Sequence, residues 1–304
     1  MLVVKLVATG LASFAGAAVI GVMAVAGNEV KRSGESIIEL ETAVDSLRFA
    51  AAQAMPGKGY SAGRPNVATD FNPDVERPTT DPSSFVDPLA SVIGAVKLGK
   101  NVYVAPFASV RGDEGQPIYV GDDSNLQDGV VVHALETTQE GKPLAGRTYE
   151  VGGRNYAVYI GKRVSIAHQA LVHGPARIDD NVFVGMQAMV FKAALGEGVV
   201  LEPGAKVIGV TIPPHRYVAA GVVVTDQKVA DKLPKIDDAY PYRALNDAVV
   251  HVNTSFAEGY RSEAEARVAA LEALKSRKAE GAGAKTTGHP VPKAAASHGE
   301  AKEH

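Results

Sequence analysis

Three histidines near the middle of the chain, His133, His168 and His173, are the residues whose type and spacing point most directly to chemistry. The chain contains no cysteine, which excludes disulfides, thiolate zinc sites, iron–sulfur clusters and cysteine nucleophiles. A metal must therefore be held by His, Asp or Glu. Neutral imidazoles leave a dication its full charge and an open position for water, whose pKa falls from about 15.7 to about 7. A hydroxide held in that way is a nucleophile at neutral pH. Regenerating it requires a group that removes a proton, and carboxylates lie near these histidines in sequence, Glu136 after His133 and the pair Asp113-Glu114 before it.

What positions these residues is a repeat. An aliphatic residue recurs every six positions: Leu98, Val104, Val110; Val120, Leu126, Val132; Ile160, Ile166, Val172, Ile178, Val184, Val190; Leu195, Leu201, Val207. A hexapeptide period held over so many anchors is the signature of a parallel β-helix, in which six residues form one short strand and three strands close one triangular turn. The phase breaks near the acidic pair, between Val110 and Val120, and again between Val132 and Ile160, so two loops project there. Val190 to Leu195 is one residue short.

Grouping the anchors in threes places Val110, Val132 and Val172 on one face in successive turns. Arg111, His133 and His173 follow them, so these three occupy one column. Turns stack at the strand spacing of roughly 4.8 Å, which makes His133 and His173 neighbours although 40 positions separate them. His168 belongs to the preceding face and does not reach the same ion within its own chain. A copy related by a threefold axis would supply it, so the register predicts both a shared metal site and a homotrimer. His215, in a Pro-Pro turn, has no partner by register.

Of 304 residues, 46% are hydrophobic and 6% aromatic, which suits a core of small branched side chains. A formal charge of −3 gives no broad attraction for a polyanion and argues against nucleic acid. Residues 1–27 include an uncharged apolar run from Leu6 to Gly27; it reads as a signal peptide or an uncleaved, membrane-spanning anchor. Either places the core outside the cytoplasm, periplasmic or secreted, with membrane association in the second case. Residues 28–60 hold an amphipathic helix with a short heptad seam, through Ile37, Leu40, Val44, Leu47 and Ala51, that reads equally as a stalk or a packed helix. Residues 61–90 form an extended arm, 91–225 the β-helix, 226–278 a helical region, and 279–304 a tail too polar to order itself.

The stretches Arg111-Gly-Asp-Glu, Asn125-Leu-Gln-Asp-Gly, His133-Ala-Leu-Glu, Ala167-His-Gln-Ala-Leu-Val-His-Gly-Pro175 and Gly185-Met-Gln-Ala together resemble the γ-class carbonic anhydrases. The resemblance runs from about Phe71 to Tyr260. It implies a mainly β fold, a left-handed parallel β-helix with a C-terminal α-helix, assembled as a homotrimer that hydrates carbon dioxide reversibly to bicarbonate and a proton. It further implies that His133 and His173 of one subunit and His168 of the next bind the metal; Zn2+ is the default by ligand type, and imidazole also suits Fe2+ or Co2+. Gln127 and Asn253 then match residues that orient water, bicarbonate or carbon dioxide, and Asn125 one hydrogen-bonded to the glutamine. Arg111 and Asp128 match a salt bridge across the subunit interface, and Asp113 a further partner of that arginine. Glu114 and Glu136 match the pair that handles protons, with Glu136 as the shuttle. His251 stands where the archaeal type has a tyrosine, as a second proton acceptor or a neutral replacement. The rivals are a hexapeptide acyltransferase, which leaves two stacked histidines unexplained, and a trimeric scaffold with a vestigial site.

Overall fold

The computed structural model describes residues 63–139 and 142–283. The apolar run, the heptad segment and most of the tail lie outside these residues. Three parallel sheets, one of eight strands and two of seven, form the three faces of a β-helix. Register follows the hexapeptide count. Val92, Val110, Val132, Val172, Val190, Val207 and Val224 stack on the first face. Leu98, Val120, Ile160, Ile178, Leu195 and Ile212 stack on the second. Val104, Leu126, Ile166, Val184, Leu201 and Val218 stack on the third. The one-residue slip after Val190 is absorbed at the corner without shifting this order. The coil also takes in Thr79–Thr80 and Phe85–Val86, which pair with Val96–Leu98 and Tyr103–Val104, so part of the segment read as an arm completes a turn. Val86 continues the six-residue phase back from Val92 and Leu98, and Thr80 occupies the place before it.

The main core consists of Val, Ile, Leu and Ala alone. A prism only three short strands in circumference has room for one branched side chain per face in each layer, and an aromatic ring would force the strands apart. Close stacking of turns also explains why a small residue so often follows each anchor. At Gly121 an added Cβ would lie 2.5 Å from the carbonyl oxygen of Gly161 in the next turn, an atom that cannot swing aside. Replacing Gly121 by Ala should therefore cost about 2–3 kcal/mol, as overpacking of a rigid core does. Gly259, on the C-terminal helix with nothing within 4 Å, is the control. Its replacement by Ala should be neutral or stabilising by up to about 1 kcal/mol, read by calorimetry.

Two helices finish the fold. Helix α1 (Gln227–Ala230) is capped by Asp226 and closes the end of the coil, Gln227 exchanging two hydrogen bonds with the backbone of Thr211 on the last strand of the second face. An otherwise open sheet edge is thereby satisfied. Helix α2 (Leu245–Gly283) begins well before the Ala- and Glu-rich stretch from Ser262 to Lys278 and lies along the third face. Asn246 donates to the carbonyl of Arg163 at 2.8 Å, and Arg163 in turn pairs with Asp247 at 2.7 Å. Further along, Ala257 packs with Phe85, Tyr103 and Ala105, and Tyr260 stacks on Phe85. Among the described residues no helix is long and apolar enough to cross a membrane.

Candidate active site

His133 and His173 are direct register partners on the first face, their rings edge-on with centroids 5.6 Å apart. Phe191 continues the column beneath His173, 5.3 Å away. The Nδ1–H of His173 donates to the carbonyl of Gly174 at 3.1 Å, which leaves Nε2 as the nitrogen with a free lone pair. Burial, with smaller contributions from His133 and Lys192, holds its pKa below the usual histidine value. A neutral imidazole of fixed tautomer is the form a metal ligand requires.

The loop after Val110 brings the acidic pair over His133. The Nε2 of His133 lies 3.3 Å from Asp113 Oδ1 and 3.2 Å from Glu114 Oε1. Both Nε2 and Asp113 Oδ1 are buried without a hydrogen-bond partner. A nitrogen facing two carboxylate oxygens, with no aligned hydrogen bond, is the donor set expected where a cation completes the site. These three are the one group of three potential ligands within 4.8 Å of one another among the described residues. Arg111 secures Asp113 from the other side, Nε to Oδ2 at 3.1 Å. Burial raises the pKa of Asp113, but the side chains of His133 and Arg111 outweigh it and leave the acid below its ordinary value. For Glu114 burial prevails, reinforced by Asp113 and Glu136 against the opposing His133 and Arg111, so its carboxyl is pushed up.

The two projecting loops are joined by a residue that sequence reasoning missed. Thr137, fully buried, receives the N–H of Gln116 on its Oγ1 and donates that hydroxyl to the carbonyl of Glu114, whose oxygen also accepts the N–H of Thr137. Glu114 and the neighbour of Thr137, Glu136, are thus brought to one rim by local hydrogen bonding. A threonine inside a polar loop carries no sequence signal of this role. Asn72 and Phe71 brace the same rim from the N-terminal side, by Nδ2 to the carbonyl of Asp113 and by a carbonyl accepting from Thr138.

A second set of candidates lies on the third face. Asn125 donates through Nδ2 to Ser165 Oγ at 2.9 Å and accepts from Gln127 Nε2 at 3.0 Å, all three side chains buried. This chain of bonds sets the orientation of the Gln127 amide and leaves its Oε1 outside the network. One residue further, Asp128 Oδ2 lies 3.0 Å from Nδ1 of His168. Both side chains are more than half exposed. Asn253 is buried on α2, its Nδ2 donating to the carbonyl of Val249, while His251 is exposed. Within one chain, then, Arg111 pairs with Asp113 and Asp128 with His168. Structure brings Asp113, Glu114 and His133 together beside His173, and it keeps His168 apart from them.

A parallel β-helix of hexapeptide repeats, carrying stacked histidines under paired carboxylates on one face and a third histidine on the face before it, defines a narrow class of hexapeptide proteins. The chain is 54% identical over 211 residues to the carbonic anhydrase of Methanosarcina thermophila, covering 69% of this chain and 85% of that protein. It is 36% identical over 147 residues to the mitochondrial gamma carbonic anhydrase 2 of Arabidopsis thaliana, covering 48% and 42%. A match of 39% over 186 residues to the carboxysome assembly protein CcmM of a Nostoc species covers 61% of this chain and only 32% of that protein. Among solved structures, a hexapeptide transferase family protein from Anaplasma phagocytophilum aligns with a TM-score of 0.46 at 24% identity, over 61% of this chain and 93% of that one. No protein-family model matches. The chain belongs to the γ-class carbonic anhydrases.

Proposed function

We propose that the protein hydrates carbon dioxide reversibly at metal sites shared between the subunits of a homotrimer. The observation that carries this reading is the division of the candidate residues between two faces of one chain. Arg111, Asp113, Glu114, His133, Glu136 and His173 gather on the first face and its loops, whereas Asn125, Gln127, Asp128, His168 and Asn253 belong to the third face and the helix packed on it. Each half lacks what the other holds. Exposed apolar side chains, Phe107, Met186 and Val131, lie in the strands and turns joining those two faces, beside His168, as a surface that covers itself on association would require.

His133 and His173 of one subunit with His168 of the next would hold the ion, Zn2+ by ligand type, with Fe2+ or Co2+ as alternatives. When bound, the ion supplies an acidified water, the source of hydroxide near neutral pH. Gln127, its amide oriented through Asn125 and Ser165, offers Oε1 as an acceptor that orients the nucleophile's proton away from carbon dioxide. Asn253 contributes from the helix to the same pocket, with His251 at its edge. Arg111 bridges to Asp128 of the neighbouring subunit in the assembly. Glu114 and Glu136 take the proton outward, and the apolar N-terminal run supports a location outside the cytoplasm, periplasmic or secreted, or tethered to a membrane.

The test is direct. Protein stripped by a chelator should neither hydrate carbon dioxide nor bind cobalt other than stoichiometrically on titration, and refilling with Zn2+, Co2+ or Fe2+ should restore turnover to sites counted at one per chain. An inert, fully loaded trimer would refute the activity. A monomer that binds metal tightly and is active would refute the shared site.

A further inference from the structure

We propose that Arg147 is a positioning residue that holds the Glu136 carboxylate at the mouth of the site, a proposal that rests on the proton-transfer role given to Glu136 above. The Nη2 of Arg147 lies 3.4 Å from Glu136 Oε1. The contact is produced by the fold of the second loop. The N–H of Leu144 donates to the carbonyl of Thr137 at 2.8 Å, the N–H of Arg147 donates to the carbonyl of Leu144, and Thr138–Gln139 pairs antiparallel with Lys142–Pro143. That hairpin returns the chain to the rim where Thr137 already ties Glu136 to the acidic loop.

Electrostatics give the pair a task. Glu136 and Glu114 are brought to one rim through Thr137, so like-charge repulsion favours rotating Glu136 away from the rim into water. A cation on the outer side opposes this. The Glu136 side chain is 42% exposed, so the pair is loose enough for the carboxylate to leave and return. Arg147 Nη1 is buried without a hydrogen-bond partner among the described residues. Among the described residues Glu136 is the acid paired with the guanidinium, and Nη1 is a second donor available to the same carboxylate. Arg147 is held in place by the backbone of its own loop and directed at one residue.

The experiment compares Arg147→Gln with Arg147→Lys in the metal-loaded protein. In weak buffer Arg147→Gln should lower kcat about fivefold, the factor an exposed ion pair commonly supplies, with kcat/KM unchanged. Imidazole should restore kcat, and Arg147→Lys should keep most of it. In a Glu136→Ala background, Arg147→Gln should change nothing further. A crystal structure of the Arg147→Gln protein, which needs no activity, should show the Glu136 carboxylate displaced or spread over several positions. An equal fall in kcat and kcat/KM, an undiminished effect in the Glu136→Ala background, or an undisplaced carboxylate would each overturn the proposal. A displaced carboxylate in a protein whose Glu136→Ala variant turns over normally would uphold the contact and sink the proton-transfer reading instead.

Discussion

Mixing inactive His168→Ala chains with inactive His173→Ala chains should restore activity. This is the outcome expected if a site takes His173 from the first face of one subunit and His168 from the third face of the next. In trimers assembled at random from equal amounts, about a quarter of the interfaces join an intact first face to an intact third face, so about a quarter of wild-type activity should return. Each variant alone should lose both turnover and stoichiometric metal. The same measurement decides against an arrangement the chain could adopt by itself, in which Asp113, Glu114 and His133 hold a cation without help. On that arrangement His168→Ala would keep its metal, and mixing would add nothing. Activity must be followed after unfolding and co-refolding, because subunits that do not exchange cannot complement each other.

Replacing Glu136 by Ala should lower kcat by about a hundredfold in weak buffer while leaving kcat/KM within about twofold, since positioned proton transfer commonly supplies factors of that size. Attack on carbon dioxide does not depend on the carboxylate, and removal of the proton does. Adding imidazole should recover most of the lost turnover. The structure sharpens the expectation, because Glu114 is partly buried with its carboxyl pushed up while Glu136 is half-exposed and paired loosely with Arg147. Glu114 can therefore pass a proton at higher pH than an ordinary glutamate, and Glu136 can carry it to solvent. Equal losses in kcat and kcat/KM that no small buffer rescues would place Glu136 in substrate binding or metal retention.

The aliphatic phase by itself determined the coil, the three faces and the stacking of His133 on His173, because register in a β-helix is fixed by counting residues per turn and needs no knowledge of side-chain contacts. It was weakest at the start of the coil, where Val86 and Val92 keep the six-residue phase but Thr80 takes the place of an aliphatic residue, and the pairing of Thr79–Thr80 and Phe85–Val86 with later strands decided that this turn belongs to the coil. A helical region was legible over residues 226–278, but that its long helix starts at Leu245 and packs on the third face was decided by the fold. The family motifs singled out Asp113, Glu114 and Glu136, but only the folded loops decided their geometry. Thr137 joins the two excursions through one hydroxyl, and a hairpin returns Arg147 to Glu136. Likewise Asp128 was read as a partner of a neighbouring arginine, and within the chain it holds His168, because corners of successive turns lie directly above one another. Periodic backbone pairing is written in the spacing of residues. The contacts of irregular loops depend on where both ends are anchored, and that is set only once the whole coil has closed.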